Sequence, residues 1–166
     1  MVLDVSQLIQ NDGAVKKLDF NLSLEDMSFN GQNISFTSPF SQMGEIKNVS
    51  GVLYLDLDVD VNFTTQCARC LENVDVHHSF KISEAFSKTE QADSEEEITV
   101  LASGNIDLAE VTEMAFVGSL PINYLCDEDC KGLCKMCGVN LNRESCSCAD
   151  DNIDPRLAVL KQFIKD

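Results

Sequence analysis

The chain is short of cations, has no long apolar run and contains no tryptophan. Only 12 of its 166 residues are Lys or Arg, against 28 Asp or Glu, for a formal net charge of −16. That balance argues against non-specific nucleic-acid binding through bulk electrostatics, which needs a cationic surface. It leaves room for a local basic patch or a basic protein partner. No apolar stretch approaches the ~18 residues that cross a bilayer. The opening Met1-Val2-Leu3-Asp4-Val5 has no basic segment followed by an apolar one, so no signal peptide is expected. Also missing are HExxH, the HxE…CxxC deaminase pattern, a P-loop and GxGxxG, and with them the chemistries they support. These absences predict a cytoplasmic, non-enzymatic chain with no membrane contact and no small-molecule substrate.

The length suits one domain, here residues 1–166, with a β-rich part over 1–100 and a helix, cysteine cluster and closing helix over 101–166. Leu53, Leu55, Leu57, Val59, Val61 and Phe63 alternate with Tyr54, Asp56, Asp58, Asp60 and Asn62. A strict period of two is a strand with one buried and one wet face, which makes the aspartates a solvated row rather than a cation site. The alternation resumes with Val74, Val76, His78, Phe80, Ile82 and Phe86, so Cys67-Ala68-Arg69-Cys70 falls near the tip of a long hairpin. Shorter strands are predicted at Leu18–Leu22, Ile34–Phe36 and Ile98–Leu101, with loops at Asn30-Gly31, Pro39 and Gly44. The start, around Val5, Leu8 and Ile9, fits a short helix or a strand. Lys88 to Glu97, with five acids, reads as an exposed loop. Asp107 with Glu110 three residues on forms a capping box for a helix that Pro121 stops. Asp154-Pro155 opens a second helix with Leu157, Leu160, Phe163 and Ile164 on one face. The fold class is therefore α+β: a mainly antiparallel sheet with a long hairpin, two helices and a cysteine-rich, zinc-binding C-terminal lobe.

Eight cysteines in a reducing compartment point to metal ligation or redox chemistry before disulfides. Cys134 and Cys137 form a CxxC followed by Gly138, which can take the positive φ of a metal knuckle. Cys146 and Cys148 follow within a short loop, and CxxC plus CxC at that distance is a zinc signal. Cys67, Cys70, Cys126 and Cys130 complete a second set of four. A single mixed site, with Cys67 and Cys70 joining Cys134 and Cys137, is the competing arrangement. Adjacent residues of a strand face opposite ways, so His77 and His78 are better read as surface or half-buried imidazoles than as ligands. One or two Zn²⁺ ions are expected, and all-cysteine sites without an open position are structural rather than catalytic. Dithiol catalysis by Cys67 and Cys70 is disfavoured, because a redox CxxC sits where a strand meets a helix.

Cys67-Ala68-Arg69-Cys70-Leu71-Glu72 after a long alternating strand resembles the YceD family, the large ribosomal RNA subunit accumulation proteins. The likeness continues through Cys130-Lys131-Gly132-Leu133-Cys134, Cys137-Gly138-Val139-Asn140-Leu141-Asn142 and Asp154-Pro155-Arg156-Leu157-Ala158. The resemblance implies a non-enzymatic cytosolic factor for accumulation of large-subunit rRNA. Family members are often encoded beside a zinc-ribbon protein of the large subunit, which suggests a link with ribosome assembly. Contact would run through a basic ribosomal protein on the acidic surface or through a local RNA patch. Arg69, Lys131, Lys135 and Arg143 are the candidate cations for such a patch, and Asp127, Glu128 and Asp129 beside them oppose phosphate. A redox-regulated zinc protein and an RNA-binding zinc ribbon are the alternatives.

Overall fold

The computed structural model describes residues 1–89, 98–101 and 103–148. Its centre is the hairpin of β6 (Val52–Gln66) and β7 (Asn73–Ser87), paired antiparallel from Val52↔Ser87 to Gln66↔Asn73. The alternation that marks β6 has the expected meaning: Leu53, Leu55, Leu57, Val59, Val61 and Phe63 are all buried. Between them Asp56 accepts from Ser83 Oγ (3.1 Å), Asp58 pairs with Lys81 (3.1 Å) and Asp60 accepts from Ser79 Oγ (2.5 Å). The aspartate row is thus a solvated, cross-strand-paired face.

On its other edge β6 pairs first with β5 (Phe40–Val49) and then with β4 (Gln32–Phe36). Outside these lie β2 (Val15–Leu22) against β5 and β3 (Met27–Phe29) against β4. A short β8 (Ile98–Val100) adds to β7 in parallel, and β1 (Val2–Asp4) pairs with β9 (Asn105–Asp107) as a separate two-stranded sheet. The start of the chain is therefore strand at residues 2–4, followed by turns.

Gly44 is a correction to the expected loop: it lies inside β5, where a Cβ would collide with the Asp56 main-chain oxygen and crowd Leu57 Cα. β5 hid itself by placing polar residues at buried positions. Gln42 Nε2 donates to Thr112 Oγ1 (3.0 Å), which donates to Leu108 O (2.6 Å). Asn48 Nδ2 donates to Leu8 O and Asn11 O at 2.9 and 3.0 Å.

The helix α1 (Leu108–Ser119) begins as predicted, with Asp107 as N-cap accepting from the Ala109 amide (3.0 Å). That amide, with the N-terminal ammonium second, holds the Asp107 carboxyl below its usual range. Its buried residues are Leu108, Thr112 and Phe116, while Val111 and Ala115 are only half-buried. Phe116 meets Phe36, Phe40, Phe63 and Phe80 with ring centroids 5.4–5.9 Å apart, an aromatic hub at the centre of the core. α1 is the one helix among the described residues. The predicted second helix from Asp154, and the acidic stretch from residue 90 to 97, lie outside them.

Candidate metal centres

The hairpin tip and the segment after α1 converge to build two groups of thiols. At the tip, Cys67 N–H donates to Glu72 O (2.8 Å) and Leu71 N–H donates back to Cys67 O (2.9 Å), with Leu71 at φ 61°. The same turn recurs at Cys134: its N–H donates to Val139 O (2.8 Å), Gly138 N–H donates to Cys134 O (2.8 Å), and Gly138 has φ 76°. Each turn places the two sulfurs of a CxxC on one side, with main-chain N–H groups around them. Ala68 N–H then donates to Tyr124 O (2.8 Å), drawing residues 124–130 onto the tip. The Tyr124 ring packs on Phe63 at 5.7 Å and so anchors that segment to the core.

Cys67, Cys70, Cys126 and Cys130 come together there, and Cys134, Cys137, Cys146 and Cys148 form the second group. Within each, all four sulfurs lie within 4.8 Å of one another. Cys67 Sγ is 3.8 Å from Cys130 Sγ, and Cys70 Sγ is 3.5 Å from Cys126 Sγ. A tetrahedral Zn²⁺ with Zn–S of about 2.3 Å needs sulfurs about 3.8 Å apart, so the donor set and its spacing fit that ion. All eight cysteines are free thiols. The mixed grouping of Cys67 and Cys70 with Cys134 and Cys137 is not the one the geometry brings together.

The thiols of each group do not ionise alike. Burial opposes the Cys67 thiolate, but the amides of Cys126, Cys70 and Arg69 together outweigh it and bring the thiol down to about 6. In the second group the amides of Cys137 and Met136, then the Cys146 thiol, bring Cys134 to about 6. The neighbouring Cys130, followed by Cys70, pushes Cys126 up to about 12, and Cys137 does the same to Cys148. Crowded thiols therefore lose protons in steps, the last against the charge of the first. A divalent cation at the centre removes that repulsion and favours all four thiolates.

The two histidines stand apart from both groups. His77 is exposed, with Nδ1 3.0 Å from Asn62 Oδ1. His78 is half-buried, with Nε2 2.8 Å from Ser119 Oγ, and burial followed by the His77 charge holds its pKa below the usual value. Of the four predicted contact cations, two are engaged within the fold. Arg69 Nη1 donates to Glu128 O (3.0 Å) and Cys130 O (2.9 Å), and Arg143 pairs with Glu72 at 2.7 Å. Lys131 and Lys135 are exposed. Spacing alone did not reveal Asn142, whose Nδ2 donates to Cys130 Sγ at 3.2 Å.

The model of the family described as large ribosomal RNA subunit accumulation protein YceD matches residues 55–164. The chain belongs to the YceD family. The match takes in the β6–β7 hairpin from Leu55 onward, α1 and both cysteine groups, so the likeness and the candidate site coincide. Uncharacterized proteins of Mycobacterium bovis and Mycobacterium tuberculosis are each 34% identical over 103 residues, 60% of this chain and 49% of theirs. An uncharacterized Mycobacterium leprae protein is 27% identical over 169 residues, 99% of this chain and 77% of its own. The chain spans about half the length of the first two. No solved structure matches it. Membership of YceD links the chain to a family named for large-subunit rRNA accumulation. No helix among the described residues is long and apolar enough to cross a membrane.

Proposed function

We propose that this chain is a non-enzymatic, cytoplasmic ribosome-assembly factor that supports accumulation of large-subunit rRNA. The observation that carries the reading is the family match, which spans the hairpin tip and both thiol groups. Cys67, Cys70, Cys126 and Cys130 would hold one Zn²⁺, and Cys134, Cys137, Cys146 and Cys148 another. The ions supply cross-linking, tying the hairpin tip to a segment otherwise short of core. Four thiolate ligands leave no position for water, so the sites stiffen a surface and do no chemistry.

Protein contact is favoured over RNA contact by the charge. Two such sites would take the formal −16 to about −20. With Arg69 and Arg143 engaged internally, Lys131 and Lys135 are left beside Asp127, Glu128 and Asp129, a poor phosphate grip. The partner is therefore a basic ribosomal protein. The test is affinity capture of the tagged chain from lysate, with sucrose-gradient profiling after depletion. Co-purifying ribosomal proteins and a reduced large-subunit peak are expected. A normal peak without ribosomal co-purification overturns the reading. Tight, salt-sensitive binding to purified rRNA fragments would shift the contact from protein to RNA.

A further inference from the structure

The two thiol groups share a strip of main chain. Residues 139–142 belong to the loop that runs from Cys137 to Cys146 in the second group. They lie antiparallel against residues 131–134, which lead from Cys130 of the first group into Cys134 of the second. Leu133 and Asn140 form a bridge, and Leu141 N–H donates to Gly132 O at 2.9 Å. Gly132 has φ 74°, and a Cβ there would press on Arg69 O in the first knuckle at 2.9 Å. Leu133 N–H also donates to that oxygen, at 3.0 Å.

Asn142 sits at the end of this strip. Its own main-chain N–H donates to Asn140 Oδ1 (2.9 Å), an Asx turn of Asn140 that holds the main chain at residue 142. Asn142 Oδ1 accepts the Lys131 N–H at 2.7 Å, while Nδ2 donates to Cys130 Sγ at 3.2 Å. One carboxamide thus grips both sides of the Cys130–Lys131 peptide. An N–H directed at a ligand sulfur stabilises its negative charge, and such outer contacts typically change metal affinity about 10–100-fold.

We propose that Asn142 is a positioning residue that couples the two metal sites: closing the second site's loop on its ion delivers the Asn142 N–H to a thiolate of the first. The inference rests on the zinc reading given above. Coupling of this kind is reciprocal, so each ion raises the affinity for the other. Metal would then be gained or lost by both sites together rather than singly. The charge carried by Cys130 is the reason a donor, and not merely a bulky residue, is needed at position 142.

The test uses the full reduced chain, Zn²⁺ and a competing chromophoric chelator. Cys146→Ser/Cys148→Ser isolates the first site and Cys67→Ser/Cys70→Ser the second. The overall two-ion constant of the native chain is expected to exceed the product of the isolated constants about tenfold or more. Asn142→Asp keeps the acceptor for Lys131 but removes the donor to Cys130. It should lower the overall constant about 10–100-fold, yet leave the isolated second site unchanged. Circular dichroism of the sheet, whose core contains none of these residues, checks folding. An overall constant equal to the product, no effect of Asn142→Asp, or equal weakening of the isolated second site would each overturn the coupling. A native chain that takes up no Zn²⁺ instead removes the zinc reading, and the coupling with it.

Discussion

Leu71 and Gly138 hold the same place in two copies of one turn, and only one of them is a glycine. Gly138 was legible because a glycine after CxxC announces positive φ. Leu71 was not, since a left-handed leucine costs about 1–2 kcal/mol and nothing in its side chain advertises the geometry. Leu71→Gly removes that cost while loosening the unfolded chain by about 0.4–1 kcal/mol. A net gain of up to about 1.6 kcal/mol in urea unfolding is the expected result. His78 carries a second residue-scale prediction. Its imidazole, half-buried against Phe80 and Phe116, has its pKa held below 6.5 by burial and then by His77. A depressed folded pKa means the unfolded chain binds the proton first, so this contribution to stability is full above about pH 6.5 and falls away with acidification. An NMR titration of the His78 ring should give a midpoint below 6.5. Between about pH 8 and about pH 6, native Tm should fall more than that of His78→Gln.

At the scale of elements, β6, β7 and the start of α1 were legible, and β5 was not. The first two alternate because both hairpin strands bury one face, and Asp107 with Glu110 spells a helix start. β5 has the same alternation, but Gln42 and Asn48 stand at buried positions and find partners far away in sequence, on Thr112 and at Leu8 and Asn11. A polar residue reads as exposed until its distant partner is known. Gly44 in that strand is a contact and not a turn, so Gly44→Ala should cost about 1–3 kcal/mol through overpacking against β6. Calorimetry of Phe116→Ala should show a larger loss, about 3–5 kcal/mol, because the ring is fully buried at the hub of four others. An unchanged Tm in either variant would contradict the packing described for it.

For the whole molecule, cysteine spacing announced two sets of four but could not decide between them and a mixed site. The decision depends on where residues 124–130 dock, which the Ala68–Tyr124 hydrogen bond and the Tyr124–Phe63 contact determine across more than fifty residues of sequence. The purified chain is expected to hold about two zinc ions, and Cys70→Ser about one or fewer, by elemental analysis. Bound zinc would tie together the part of the molecule with least core, since the first group's own buried cluster is little more than Cys67, Cys70 and Cys130. Chelation should therefore loosen the tip while the β6–β7 sheet persists, seen as amide exchange that rises at residues 67–72 and 124–148 and not in β6. The function proposed for this scaffold is tested most directly by the ratio of large- to small-subunit rRNA in cells depleted of the chain. A fall in that ratio, restored by the native chain and not by Cys67→Ser/Cys70→Ser, is the expected result; a ratio that stays normal on depletion would contradict it.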